Sequence, residues 1–198
     1  RLGVKPLHYC LNGQRIYFAS EIKSILQAPL AREIDFDSLS RFFTFEYVPA
    51  PRSIFKGIRK ILPGHRLVFE NGRAEETCYW DVRHAGHKIK PKPEAEYCDE
   101  IISRLREAVR RRLISDVPLG VFLSGGIDSS AVTALMSEVA GGGIKTYSIG
   151  FREKSFDELD AARIVADKFG TDHTEFVVTP AEVSGLVPTL AGFLDEPL

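Results

Sequence analysis

Short apolar and β-prone runs in the first 80 residues are separated by Asn-Gly pairs. One pair of runs, residues 7–11 and 14–18, flanks Asn12-Gly13, and a second pair, residues 66–70 and 76–80, flanks Asn71-Gly72. Asn-Gly between two β-prone runs is the strongest short-range signal of a hairpin. The pattern therefore predicts two hairpins and a β-rich first part.

Two short helices are predicted between the hairpins. Ser20 could cap a helix over residues 21–27, and Asp37 could cap one over residues 38–47. Core packing is the simplest interpretation of an aromatic cluster that comprises Phe42, Phe43, Phe45 and Tyr47.

Residues 84–94 differ from the chain on either side, since they hold three lysines, two prolines and one large apolar residue. This composition predicts a linker. The next residues, 95–113, have the clearest helical periodicity, because a stripe of apolar residues runs along one side of the predicted helix: Ile101, Ile102, Leu105, Ala108, Val109 and Leu113.

From Pro118 onward, strand and helix patterns alternate. The predicted strands are residues 119–123, 144–149 and 173–178, and the predicted helices are residues 128–139, about 156–169, and from Pro180 to about 194. Gly170 is expected to end the second of these helices. Such repeats predict parallel βαβ units and a doubly wound sheet, in which ligands bind beyond the carboxyl ends of the strands.

The segment with the most chemical information is Ser124-Gly125-Gly126-Ile127-Asp128-Ser129-Ser130, at the junction of the first of these strands and its helix. Glycines let the backbone approach an anion, serine hydroxyls donate, and a helix N-terminus carries partial positive charge. The sequence thus predicts a phosphate-binding loop. Ser148-Ile149-Gly150, at the end of the second strand, is expected to line the same crevice.

An acid stands in this loop where a Walker A loop would have a lysine. A carboxylate repels phosphate unless a cation lies between them, so Asp128 suggests Mg²⁺. The alternative is a plain tight turn in which Asp128 only caps a helix. A loop that holds the pyrophosphate of ATP would suit attack of a carboxylate on the α-phosphorus, but these residues alone also fit a nucleotide-binding module without chemistry.

Composition limits the binding partners and the cellular compartment that can be expected. The 198 residues carry a net charge of −1, which gives no electrostatic reason to expect nucleic acid or an anionic membrane as partner. No apolar run is long enough to span a bilayer. Cys10, Cys78 and Cys98 cannot all pair with one another, so free thiols in a reducing, cytoplasmic setting are expected.

Residues 124–130 resemble the pyrophosphate loop of the N-type ATP pyrophosphatases, and further motifs narrow the resemblance to the glutamine-hydrolysing asparagine synthetase family. These motifs run nearly from end to end of the chain: residues 2–7 (LGVKPL), 18–23 (FASEIK), 47–51 (YVPAP), 63–65 (PGH), 79–81 (YWD), 115–120 (SDVPLG) and 171–173 (TDH).

The resemblance implies an Ntn-hydrolase glutaminase domain that supplies ammonia from glutamine. It also implies an adenine-nucleotide α-hydrolase-like synthetase domain that activates aspartate with ATP as β-aspartyl-AMP. Small molecules would then be the partners, and a homodimer would be an admissible assembly. By match, Asp128 would bind Mg²⁺ and the other loop positions would hold pyrophosphate: Ser124, Gly125, Gly126, Ser129 and Ser130. Leu123 and Ile149 match positions that contact adenosine, although strand-core packing explains them equally well.

The family's catalytic N-terminal cysteine and glutamine-binding residues would lie before Arg1, and a second acidic nucleotide motif would lie beyond Leu198. The chain is therefore expected to be an internal fragment, inactive alone, with two partial domains of α+β and α/β class. Residues 1–83 would be the C-terminal half of the glutaminase, 84–94 the linker, and 95–198 the first βαβ units of the synthetase. The alternatives are a paralogue that amidates another carboxylate and a nucleotide-binding domain without turnover.

Overall fold

The computed structural model describes residues 1–82, 91–152 and 158–197. The chain divides into two compact units, one formed by Arg1–His87 with Leu186–Leu198 and the other by Lys88–Gly185. Most of the predicted linker, residues 84–90, lies outside the described residues, and the predicted domain boundaries stay predictions. No described helix is long and apolar enough to cross a membrane.

The first unit contains both predicted hairpins. Strands β1 (His8–Asn12) and β2 (Arg15–Ala19) pair antiparallel around the first Asn-Gly, and β3 (Ile58–Lys60) extends this sheet in the order β2-β1-β3. Strands β4 (His65–Glu70) and β5 (Arg73–Cys78) form the second hairpin. Both hairpin predictions are confirmed.

The core of this sheet is small and apolar. Cys10, Ile22, Ile25 and Ile58 are buried together, so the short helix α1 (Ile22–Ile25) packs on the sheet through its two isoleucines. The position preceding α1 is Glu21, whose side chain makes no capping hydrogen bond. The prediction that Ser20 caps a helix starting at residue 21 is therefore wrong.

Helix α2 (Phe36–Phe45) begins earlier than predicted, because Asp35 and not Asp37 is its cap. The Asp35 carboxylate accepts hydrogen bonds from the backbone N–H groups of Asp37 and Ser38, at 3.0 and 3.2 Å. Burial alone would raise the pKa of Asp35, but these N–H groups and the Arg52 guanidinium outweigh it and hold the pKa below its usual value.

The aromatic cluster at the end of α2 does not form core, so that prediction is wrong. Phe43 is 77% exposed and Tyr47 57% exposed, and Phe45 is also exposed. Helix α2 turns the small residue Ser38 inward, and Val48 beyond its end is buried instead. Hydrophobic periodicity did not show which side of this aromatic-rich helix is buried.

The second unit carries the predicted parallel repeats. Helix α3 (Glu94–Arg112) precedes β6 (Gly120–Phe122), α4 (Ile127–Ala140), β7 (Lys145–Phe151), α5 (Leu159–Phe169) and β8 (Asp172–Val178). The strands are parallel in the order β6-β7-β8. Helix α6 (Pro180–Phe193) follows, and the division between the two units falls within it, after Gly185.

Helix packing in this unit agrees only partly with the predicted stripe. Helix α3 packs on α4 and α4 packs on α5, with Val109 of α3 buried in a core cluster with α4. Ile101, Ile102 and Leu105, earlier in α3, are exposed. The parallel strands are confirmed, whereas winding of the sheet on both faces and the Ntn-hydrolase fold of the first part stay predictions.

Candidate functional site

The predicted phosphate loop connects β6 to α4 at the carboxyl edge of the parallel sheet, as the sequence indicated. Leu123, directly after β6, is 2% exposed and packs against Ala162 and Ala166 of α5. The chain then turns outward through Ser124 and Gly126, both exposed, before α4 begins at Ile127. The start of the loop is thus anchored in the core and its tip faces solvent.

A buried hydroxyl fixes the residue from which the loop departs. The Leu123 N–H donates to the Tyr147 carbonyl at 2.8 Å, and the Ser148 hydroxyl donates to the Leu123 carbonyl. Both Ser148 and Leu123 are buried. Sequence reasoning placed Ser148 at the crevice but missed this role; the available signal was a small polar residue within an apolar strand.

Position 125 needs a glycine for two reasons: its backbone conformation is left-handed, and a side chain would have no room. Its φ is +77°, and a Cβ at this position would lie 2.5 Å from the Ala161 Cβ and 2.7 Å from the Ala162 backbone nitrogen. Any side chain would press on the backbone of α5. The loop is therefore wedged against the start of α5, which restricts where a bound anion can lie.

Two serine hydroxyls organise the loop. The Ser129 hydroxyl lies 3.1 Å from the Ser124 hydroxyl and donates to the Gly126 carbonyl at 3.2 Å, while the Ser124 N–H donates to the Ser129 hydroxyl at 3.3 Å. The Gly126 N–H donates to the Ser124 hydroxyl at 3.3 Å. These are long bonds between exposed groups, so an anion that accepts from the same donors could replace them at little cost.

The N-terminus of α4 is open. Gly126, its cap position, offers no side chain, and within the described residues the N–H groups of Ile127, Asp128 and Ser129 have no acceptor. By contrast, Thr179 and Glu182 form a reciprocal capping box at the start of α6. Three free N–H groups and the positive end of the helix dipole are chemically suited to an anion.

Asp128 lies in the first turn of α4 and its side chain is exposed. No described residue donates a hydrogen bond to its carboxylate or forms an ion pair with it. In the part of the chain that the structure describes, no cluster of three or more His, Cys, Asp or Glu residues could hold a metal by itself. One carboxylate suits Mg²⁺ that is shared with phosphate oxygens, since Mg²⁺ is usually held by one or two carboxylates plus phosphates and water.

The prediction that Ser148-Ile149-Gly150 lies at the end of its strand is wrong. Strand β7 continues to Phe151, so Ser148-Ile149-Gly150 lies inside the strand rather than beyond its end. The Ile149 side chain is half exposed, whereas that of Leu123 lies in the core. Seven paired positions with β8 extend the strand past the point at which its apolar pattern stops.

A polar cluster ties the opposite, amino edge of the sheet. The Thr146 hydroxyl lies 2.7 Å from that of Thr171 and 2.8 Å from His173 Nδ1. Both oxygens of the Glu175 carboxylate accept hydrogen bonds from the Arg163 guanidinium, and these bonds hold the pKa of Glu175 below its usual value. The Thr171-Asp172-His173 motif thus stabilises the pairing of β7 and β8 and lies at the edge away from the loop of residues 124–130.

Comparison with known proteins matches the two parts of the chain to two family models. Residues 100–198 match the family model described as asparagine synthase, and residues 1–80 match the one described as glutamine amidotransferase domain. Asparagine synthetase 1 (glutamine-hydrolyzing) of Bacillus subtilis is 33% identical over 99% of this chain and 30% of its own length. Asparagine synthetase 3 (glutamine-hydrolyzing) of the same organism is 34% identical over 98% of this chain and 35% of its own length.

A fungal protein is similarly related. Amidase chry2 of Gibberella zeae is 36% identical over 87% of this chain and 28% of its own length. The chain therefore spans about a third of the length of the curated relatives that it matches. With both family models matched in order along a chain that carries the open, glycine-bearing loop, the chain belongs to the glutamine-hydrolysing asparagine synthetase family.

Proposed function

We propose that the whole protein to which this chain belongs is an ATP-dependent ligase that converts aspartate to asparagine. The β-carboxylate would attack the α-phosphorus of ATP and release pyrophosphate. Ammonia from glutamine would then attack the acyl carbon of β-aspartyl-AMP, and AMP would leave. The observation that carries this proposal is the uncapped N-terminus of α4, opening at a glycine loop on the carboxyl edge of the parallel sheet.

The loop's own groups account for pyrophosphate binding. The N–H groups of Ile127 and Asp128 point along the start of α4 without a protein acceptor among the described residues. The hydroxyls of Ser124 and Ser129 would exchange their long mutual contact for phosphate oxygens, and Ser130 would add a third hydroxyl. Donors aimed at the leaving group stabilise the charge that develops on it, which lowers the barrier to the first step.

Asp128 is the residue that would hold Mg²⁺. Its carboxylate is exposed beside the loop and has no competing cationic partner among the described residues. When bound, Mg²⁺ would supply neutralisation of phosphate charge. Ile149, half exposed on β7, and the backbone at Leu123 would flank the adenosine.

Product analysis on the whole protein tests the proposal. With aspartate, glutamine and ATP, we expect one AMP and one pyrophosphate for each amide formed, and no release of either when aspartate is left out. Formation of ADP and inorganic phosphate would contradict the adenylate route.

The same chemistry on another carboxylate is the second candidate, and one observation favours keeping it. A relative named an amidase matches this chain about as well as relatives named asparagine synthetases. A panel of carboxylic acids, assayed for acid-dependent pyrophosphate release, separates the two. Aspartate is expected to give the highest kcat/KM, and a hundredfold preference for another acid would favour the second candidate.

The remaining possibility is a nucleotide-binding domain without turnover, which would have no Mg²⁺-dependent activity. The substitution Asp128→Asn tests this possibility together with the metal assignment. The variant keeps the side-chain shape but removes the charge, so the Mg²⁺ concentration for half-maximal activity is expected to rise about tenfold or more. Asp116→Asn, at another exposed acid of the same unit, is the control and should leave it unchanged. An unaltered Mg²⁺ requirement in Asp128→Asn would contradict the metal assignment.

We further propose a cytoplasmic enzyme that acts on small molecules. The low net charge gives no reason to expect nucleic acid or membrane as partner. The free state of Cys10, Cys78 and Cys98 is consistent with a reducing compartment. A homodimer stays a prediction of the family resemblance.

A further inference from the structure

The face of the parallel sheet that α5 covers carries a block of polar side chains. They come from positions that pair in register on two strands, Thr146 and Ser148 of β7 with His173 and Glu175 of β8. Both residues from β7 are buried. Parallel strands covered by a helix are ordinarily rich in Val, Ile and Leu. Polar side chains at this place therefore call for a reason beyond the packing of a core.

Two members of this block bond to the elements that hold the loop of residues 124–130. The Ser148 hydroxyl donates to the carbonyl of Leu123, the residue from which the loop departs. Glu175 Oε1 accepts from Arg163 Nε and Glu175 Oε2 from Arg163 Nη2, both at 2.7 Å. The Glu175 side chain is only 25% exposed. A two-point pair of this geometry fixes the direction of the guanidinium, which an ordinary surface ion pair does not.

Arg163 lies on the part of α5 that touches the loop. Its neighbour Ala162 packs against Leu123. A Cβ at Gly125 would lie 2.5 Å from the Ala161 Cβ and 2.7 Å from the Ala162 nitrogen. Because these contacts are so close, even a small displacement of α5 would either press on Gly125 or open a gap beside Leu123.

We propose that Glu175 is a positioning residue for the loop and thereby for bound pyrophosphate. By holding Arg163, it sets how closely the start of α5 lies against Gly125, and the loop takes its shape from that contact. Glu175 acts through Arg163 and α5, without bonding to the loop itself. The link to pyrophosphate rests on the proposed function, whereas the placement of α5 rests on contacts within the second unit alone.

Amide hydrogen exchange in the whole protein tests the placement of α5 without reference to activity. Glu175→Ala removes both acceptors of the Arg163 guanidinium. Exchange is then expected to accelerate roughly tenfold or more at the Leu123 N–H, which donates to the Tyr147 carbonyl, and at the Ala162 N–H, which donates within α5. Unchanged exchange at both amides would overturn the proposal.

Glu138→Ala is the matched control. Glu138 also accepts from an arginine at two points, from Arg106 Nε at 2.9 Å and Nη2 at 3.1 Å, and so joins two other helices of the same unit. It lies near the end of α4, whereas the loop lies at the start of that helix. The control should leave exchange at Leu123 and Ala162 unchanged. Equal acceleration in both variants would indicate general destabilisation and would overturn the specific role of Glu175.

Steady-state kinetics of the whole protein test the effect on the loop. A displaced loop binds ATP less well, so Glu175→Ala should raise the KM for ATP roughly tenfold or more, and Glu138→Ala should leave it unchanged. A role in folding alone would lower the amount of active enzyme, and with it the apparent kcat, without changing the KM for ATP. That outcome would overturn the proposal.

Arg163→Lys separates orientation from charge. Lysine keeps the positive charge but cannot form the two-point pair, so this variant should also raise the KM for ATP. An unchanged KM would contradict the role of the pair. If the unaltered protein released no pyrophosphate, the proposed function would fail, while the exchange experiment would still decide whether Glu175 sets the position of α5.

Discussion

Gly125 is the single residue on which the shape of the loop depends most. A Cβ there meets the backbone of α5 at 2.6 Å, in addition to the cost of a φ of +77°. Gly125→Ala should therefore destabilise the second unit and displace the loop. We expect the loss of unfolding free energy to exceed that at an unobstructed glycine by about 1–3 kcal/mol, measured by urea denaturation.

Gly141 provides the comparison, because its φ of +75° is nearly the same and no atom lies within 4 Å of a Cβ built there. Gly141→Ala should cost only the conformational strain, about 1 kcal/mol. Equal losses at the two positions would show that the close approach to α5 contributes nothing, contrary to the geometry described for the loop.

Among the helices and strands, the start of α2 gives different roles to two aspartates that are close together in the sequence. Asp35 caps the helix, and Asp37 lies in its first turn. Asp35→Ala removes the acceptor for two backbone N–H groups and is expected to destabilise the first unit by about 1 kcal/mol. Asp37→Ala, within the first turn, should cost no more than a few tenths of a kcal/mol, roughly, through the helix dipole. The reverse order, measured by thermal unfolding, would restore Asp37 as the cap.

Elements with a local cause could be predicted from the sequence. The two Asn-Gly turns determine their hairpins, and Gly170 ends α5 in the left-handed conformation, because these features depend only on neighbouring residues. The position of the loop of residues 124–130 between a strand and a helix could be predicted for the same reason, since its composition and its place after an apolar strand are local.

Features that depend on tertiary contacts could not be predicted in this way. Asp195 caps α1 from more than 170 positions away, and Ser148 secures Leu123 from a neighbouring strand. Phe43 faces solvent while the small polar residue Ser38 of the same helix is buried, so hydrophobicity alone does not determine the packing side of α2. Each requires knowledge of which elements meet, which periodicity along one chain does not contain.

The buried histidine His8 should make the stability of the whole molecule depend on pH. Burial lowers its pKa below 6.5 more than the nearby carboxylates of Glu196 and Asp195 and the Ser20 carbonyl raise it, and Lys60 adds to the lowering. The unfolded chain therefore binds a proton more readily than the folded one. The free energy of unfolding should rise with pH between the pKa of His8 in the folded chain and 6.5, its value in the unfolded chain. Below that range, the folded chain should carry the whole loss of stability that comes from the lowered pKa.

Urea denaturation across this range checks the sign. The original chain should lose stability on acidification between about pH 7 and pH 5.5, and His8→Gln should lose less over the same interval. An equal slope in both proteins would mean that another group is responsible.

The proposed attack of a carboxylate on the α-phosphorus of ATP is tested most directly by an isotope transfer in the whole protein. Aspartate labelled with oxygen-18 in its β-carboxylate is turned over with ATP and glutamine, and the products are analysed by mass spectrometry. We expect one labelled oxygen in each AMP and none in pyrophosphate. Label in inorganic phosphate, with AMP unlabelled, would contradict it.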